Sequence, residues 1–224
     1  LGYRDTAQDA MTIPHSNPDK CRERIEQLLK GLTTTGYGLH LFSPEWFEEK
    51  TGDKPFRSPT VIPEPDKQSM IHGIKDACSD DALWLVGAVV EYIKETGDLN
   101  FARKEFTYAD TYVLGNKVTE SVYEHLKRIL DFSAEQVGDD GICKGLRADW
   151  NDCLNLNCFS KEPGESFQTT GPSEGPVAES VFIAGMFVKY GREFAEISRH
   201  MGDTTAADRA EKEVDAMYQA VLDA

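Results

Sequence analysis

The stretch GLRADWNDCLNL, residues 145 to 156, sets a tryptophan between two carboxylates, Asp149 and Asp152. Three residues apart, the two acids share one face if the segment is helical. That spacing has a structural explanation, with Asp149 as an N-cap and Asp152 in the first turn of a short helix. It also has a chemical one. Trp150 offers an aromatic face against which pyranose C–H groups pack while carboxyls bond the sugar hydroxyls. A carboxyl held against an indole away from water has its pKa raised, which suits a general acid. Spacing alone favours the cap, and Trp150 pulls toward chemistry.

Other constellations are weaker. GYRDTAQD, residues 2 to 9, places Arg4 beside Asp5 with Asp9 one turn on, most simply a surface ion pair. HGIKDACSDD, residues 72 to 81, gathers Asp76, Asp80, Asp81 and a lysine before a helix. The positive end of the helix explains Asp80 and Asp81 but not Asp76. The five histidines are scattered without ligand spacing, so no metal is expected. No nucleophile elbow, P-loop or dinucleotide fingerprint occurs. GICKG, residues 141 to 145, reads only as a tight turn.

The elements that must carry these groups are helical. Residues 19 to 31 put Ile25, Leu28, Leu29 and Leu32 on one face. Residues 79 to 97 open on Ser79 as N-cap and close on Gly97. Residues 121 to 138 begin with a capping box, Ser121 and Glu124, and close on Gly138. Two further helices are predicted over 177–201 and 205–222, the first apolar all round in its opening VFIAGMFV. Residues 94 to 106 echo 199 to 211: a helix ends at Gly, Asp follows, and a new amphipathic stretch begins. Proline- and glycine-rich stretches at 43–69 and 157–179 read as long loops, whose aromatic residues argue for order and function over full disorder. The fold class is all-α, helix hairpins with long loops at one end, as in an α/α barrel.

Composition excludes several functions. Twenty-four basic against 39 acidic residues give a net charge of −15, unsuited to a nucleic-acid backbone. No apolar run reaches membrane-spanning length. Five cysteines, Cys21, Cys78, Cys143, Cys153 and Cys158, form no disulfide or zinc pattern, in keeping with a reducing, cytoplasmic setting. The sequence begins and ends abruptly and reads as a fragment of a longer protein.

LGYRDTAQDA, GYGLHLFSPEWF, IHGIKDACSDDALWL and GICKGLRADWNDCLNL occur in that order. Together they resemble the catalytic domain of glycoside hydrolase family 94, the inverting disaccharide phosphorylases. The likeness is dense to about residue 156 and looser beyond. It implies that residues 1–224 are part of an (α/α)6 barrel, lacking the family's N-terminal β-sandwich and C-terminal parts. It also implies phosphorolysis of a β-linked disaccharide of the chitobiose or cellobionic acid type, with cellobiose as a further option. The products would be an α-sugar 1-phosphate and a free sugar or sugar acid. Phosphate would be the co-substrate and there would be no cofactor. By resemblance Asp152 is the general acid, Trp150 lines the donor-sugar subsite, and Arg4 and Asp5 bind donor hydroxyls. The phosphate-site residues would lie mostly beyond residue 224, and the intact protein would be a homodimer. The loop at 157–179 is longer than the resemblance predicts, which leaves the sugar open.

Two other functions fit the residues. One is a hydrolase on a related barrel, which needs a second carboxylate to hold water; Asp76, Asp80 and Glu174 are the nominees. The other is a non-catalytic helical-repeat binding module, supported by the echo. A shared cavity joining the N-termini of the helices at 79 and 121 to Asp152 would favour an enzyme.

Overall fold

The structure, a computed structural model, describes residues 1–47, 77–146, 150 and 179–224. Seven α-helices occur among them: α1 (Tyr3–Met11), α2 (Pro18–Leu29), α3 (Asp81–Thr96), α4 (Ala109–Leu114), α5 (Val122–Glu135), α6 (Val181–Met201) and α7 (Thr204–Asp223). The only ladder among the described residues is a short antiparallel ribbon, β1 (Glu105–Thr107) with β2 (Thr119–Ser121), Phe106 facing Glu120. The fold is all-α, as the periodicity predicts. No described helix is long and apolar enough to cross a membrane.

Helix α3 is the centre because it is apolar nearly all round. Leu83, Leu85, Val86, Ala88, Val89 and Val90 are wholly buried, and α1, α2, α5 and α6 all pack on it. Gly87 lets α6 approach, since a Cβ there would fall 2.7 Å from the Tyr190 ring. Ile25, Leu28, Leu29 and Leu32 all face the core from α2 and just after it. Asn17 caps α2 by accepting from the Lys20 amide.

Both echoed junctions form as predicted at their glycines. Gly97 and Gly202 take left-handed conformations, φ 70° and 83°, ending α3 and α6. They diverge afterwards. Asp203 accepts from the Ala206 amide and starts α7, completing an antiparallel hairpin with α6. Asp98 makes no such bond and leads into a 3-10 turn, Leu99–Arg103, and then β1.

The helix ends set the orientation. Ser121 accepts from the Glu124 amide and caps α5, whose first turn meets the last turn of α6 where the Tyr123 hydroxyl bonds Ser198 and Asp203. Helix α5 therefore runs against α6, and its N-terminus lies away from that of α3. A mouth shared by the N-termini of α3 and α5, the arrangement that would have favoured an enzyme over a binding module, is therefore not formed: the start of α6, not of α5, joins the start of α3. The second correction concerns VFIAGMFV. Ile183, Ala184, Met186 and Phe187 are buried, but Val181 is 59% and Phe182 39% exposed. The opening turn of α6 reaches beyond the core toward the mouth beside α3.

Candidate active site

The first turns of α1 and α3 hold a buried ionic clamp. Arg4 donates from Nε to Asp80 Oδ2 at 2.6 Å and from Nη2 to Oδ1 at 2.8 Å, the forked geometry that fits a guanidinium to a carboxylate. Trp84, one turn along α3, donates Nε1–H to Asp80 Oδ2 at 2.9 Å. Asp80 is completely buried and Arg4 nearly so. Burial raises the Asp80 pKa most, and neighbouring Asp81 adds to it; Arg4 and Trp84 pull it back. Local sequence explains Asp80 as a partner of the helix dipole, and it does occupy the N-cap position of α3. Its side chain makes no capping bond, however, being turned onto Arg4 and Trp84.

Ser79 does not cap α3 either. Its hydroxyl donates to the Gly145 carbonyl at 3.0 Å. That bond belongs to a strap built from the stretch the sequence presents as a turn. Gly141 turns the chain at φ 78°, and Val137 bridges Cys143. Beyond the turn, Cys143 accepts from the Ser180 amide at 2.7 Å, Lys144 bridges Glu179, and Leu146 bridges Cys78. Residues 143–146 are thus fastened at once to the start of α6 and the start of α3. Leu146 leaves the strap at φ 52°, the one non-glycine with positive φ among the described residues. A branched residue held there costs about 1–2 kcal/mol, which the bonds on either side offset.

Trp150, four residues beyond the strap, lies at the same end of the molecule. Trp150 stacks on Phe182 of α6, centroids 5.9 Å apart and planes at 28°. Phe182 in turn lies 6.5 Å from Trp84, whose indole holds Asp80. Trp150 is 46% exposed, so its free face is an aromatic platform at the mouth. A continuous path of contacts therefore joins Trp150 to Arg4, residues 146 positions apart in the chain. Asp5 sits on the same turn as Arg4 but is exposed. Asp149 and Asp152 lie outside the described residues, as do Asp76, Glu174 and nearly all of both long loops.

Phe182 was not singled out by the sequence, where it reads as one more core residue of an apolar helix. Its signal is Ser180: a cap there, accepting from the Ile183 amide, places Phe182 in a first helical turn that must project beyond the core. Behind the clamp, Asp81 takes His40 Nδ1 at 2.9 Å. A separate groove of about 400 Å³ between α2 and residues 43–45 is lined by Glu23, Arg24, Lys30 and Glu45, with no ring to receive a sugar.

The family described as Glycosyl hydrolase 94 superfamily, catalytic domain, matches residues 1–224. The chain belongs to that family. It is 48% identical over 210 residues to N,N'-diacetylchitobiose phosphorylase of Vibrio furnissii, covering 93% of this chain and 23% of that protein. It is 58% identical over 157 residues to the protein of the same name from Vibrio proteolyticus, covering 70% of this chain and 19% of the relative. Solabiose phosphorylase of Paenibacillus borealis is more distant, 25% identical over 154 residues, 69% of this chain and 16% of that protein. The chain thus spans about a quarter or less of the length of these relatives.

Proposed function

We propose that this chain is part of the catalytic barrel domain of an inverting disaccharide phosphorylase, and that its substrate is a β-linked disaccharide of the chitobiose type. The observation that carries the reading is the identity of 48% and 58% to two proteins named for that activity. It favours chitobiose over cellobionic acid or cellobiose. The clamp and the aromatic platform are what such a reaction needs: a ring face for the donor sugar and rigid polar groups around it.

In this mechanism Asp152 gives its proton to the glycosidic oxygen while a phosphate oxygen attacks the anomeric carbon from the opposite face. The bond to the leaving sugar breaks, giving an α-sugar 1-phosphate, a free sugar and the Asp152 carboxylate. One acid suffices, because phosphate is already an anionic nucleophile and no base is needed to activate water. Trp150 packs the donor ring, Asp5 accepts from its hydroxyls, and Arg4, held by Asp80, keeps that wall rigid. Orientation of this kind contributes several kcal/mol to the barrier reduction. No cofactor takes part, phosphate being a co-substrate, and the intact protein works as a cytoplasmic homodimer.

The hydrolase alternative is weakened at one of its nominees. Asp80 is closed to solvent with both oxygens bonded, so it has no place for a nucleophilic water. The binding-module alternative is weakened where the echoed junctions diverge. The test uses the intact protein with phosphate and, in parallel, diacetylchitobiose, cellobiose and cellobionic acid, measuring sugar 1-phosphate. Product from diacetylchitobiose, lost by at least about 1,000-fold in Asp152→Asn, is the expected result. Sugar released without phosphate would hand the reaction to a hydrolase, and near-normal activity of the variant would remove Asp152 as the acid.

A further inference from the structure

Behind the Arg4–Asp80 clamp, three groups of different chemistry converge from distant parts of the chain. A ring nitrogen of His40, the Cys78 sulfur and a carboxylate oxygen of Asp81 all lie within 4.8 Å of one another. Cys78 and Asp81 are buried, and His40 is partly open to solvent. We propose that these three residues form a binding site for a borderline-soft divalent cation, Zn2+ in particular.

Three observations carry the inference. The first is the donor set: thiolate, imidazole and carboxylate are the ligands zinc takes, and hard cations avoid sulfur. The second is Asp81, whose side chain is completely buried. One of its oxygens meets His40 at 2.9 Å, and the other, Oδ1, has no hydrogen-bond partner. A buried carboxyl with an orphan oxygen is costly, and a coordinated cation is one of the few ways to complete it. The third is support. Asp81 is the first residue of α3, and Cys78 is pinned by its bridge to Leu146. His40 is fixed through its carbonyl, which accepts from the Tyr3 amide at 2.9 Å. Ligands on such anchored backbones need little reordering to bind.

The spacing and charge also fit. Ligand atoms around tetrahedral zinc lie about 3–4 Å apart, given bonds of about 2.0–2.3 Å. Small side-chain rotations close the observed cluster to that size. A thiolate and a carboxylate together balance the ion, so it would enter this poorly solvated corner without net charge.

The test is titration of the intact, reduced protein with Co2+ alone, read by the sulfur-to-cobalt charge-transfer absorption, followed by displacement with Zn2+. One Co2+ per chain is expected, with a thiolate band that survives in a Cys153→Ser, Cys158→Ser protein and disappears in Cys78→Ser. His40→Gln, at a partly exposed position, keeps the fold and should weaken binding by at least about ten-fold. Absence of the band in the parent protein would overturn the proposal. So would a band that persists in Cys78→Ser, or unchanged affinity in His40→Gln.

Discussion

The two ends of the helical core carry nearly the same ionic device. At one end Arg4 forks onto Asp80 and the Trp84 indole donates to the same carboxylate. At the other, where α5 begins, Arg128 forks onto Glu120 through Nε and Nη2, both at 2.8 Å, and the Tyr108 hydroxyl donates to Glu120 at 2.7 Å. Guanidinium, carboxylate and aromatic donor recur, yet the electrostatics are opposed. Glu120 is driven down to about 2, foremost by its bonds from Arg128, whereas burial and the neighbouring Asp81 push Asp80 up. The difference is water. The Glu120 side chain is 28% exposed and that of Asp80 is wholly buried. A half-solvated clamp fastens the ribbon to α5, with the buried Nε2 of His125 unpartnered nearby. A dry one stands beside the orphan oxygen of Asp81 and the orphan hydroxyl of Tyr3, with an open aromatic platform at its mouth. Orphan polar atoms occur at both ends, His125 Nε2 at the solvated one, so what sets the dry end apart is a carboxylate held without water.

The largest effect should come from breaking the dry clamp. Asp80→Asn removes the carboxylate that forks onto the buried Arg4, which costs about 3–5 kcal/mol of stability. It also lets the α1 wall of the site drift; a displacement of about 1 Å there is enough to lower phosphorolysis by at least about 100-fold. Melting of the intact protein and initial rates with diacetylchitobiose measure the two effects. Normal activity with normal melting would show that the clamp does no more than its counterpart at the other end.

Next comes a pH effect confined to the Glu120 end. His125, wholly buried there, gives its Nδ1 to the Ser121 carbonyl and stacks on Tyr108 at 4.0 Å. Its pKa is lowered from 6.5 to about 4, chiefly by burial. The folded state therefore prefers neutral imidazole. The stability this contributes is complete above pH 6.5 and is lost as pH falls through about 4, since the unfolded chain takes up the proton first. Between pH 7 and pH 5 the loss is about 2 kcal/mol. Amide-exchange protection of α5 at the two pH values reads it, and His125→Asn should flatten the difference while lowering protection at both.

How much of this contrast the sequence discloses depends on the distance between partners. Bonds within one turn were legible: the Ser121 cap, the left-handed glycines at 97 and 202, and the buried face of α2 all follow from periodicity and end chemistry. Asp80 was not, because its helix position already has a local explanation while its true partner is 76 residues away. Ser79 misled in the same way, since its bond crosses to Gly145. Trp150 pulled the reading toward a sugar site by itself, whereas Arg4 looks like half of a surface pair and gained a role only through family resemblance. No spacing rule could join His40, Cys78 and Asp81, which meet only once α3 is packed. The proposed acid, Asp152, rests on its motif, outside the described residues.

A smaller effect is expected from the platform. Phe182→Ala removes the ring on which Trp150 stacks, an interaction of about 1 kcal/mol. Trp150 would then sample other orientations, raising KM for the disaccharide several-fold while KM for phosphate stays unchanged. Phe182→Tyr should restore it. Equal rises in both KM values would mean that Phe182 supports the fold of α6 rather than the sugar face.

The smallest effect tests the solvated clamp. Glu120→Gln keeps the shape and one acceptor but gives up the charge opposite Arg128, and Arg128 still donates Nη1–H to the Thr34 carbonyl at 3.0 Å. With the pair partly hydrated, about 1 kcal/mol of stability should be lost at neutral pH and phosphorolysis should be unchanged. The loss should vanish at very low pH. Glu120 contributes stability above its ordinary carboxylate range that fades as pH falls through about 2, where the wild type also becomes neutral. Two clamps of one geometry would then differ in consequence for a single reason: one carboxylate keeps its water, and the other is sealed from it.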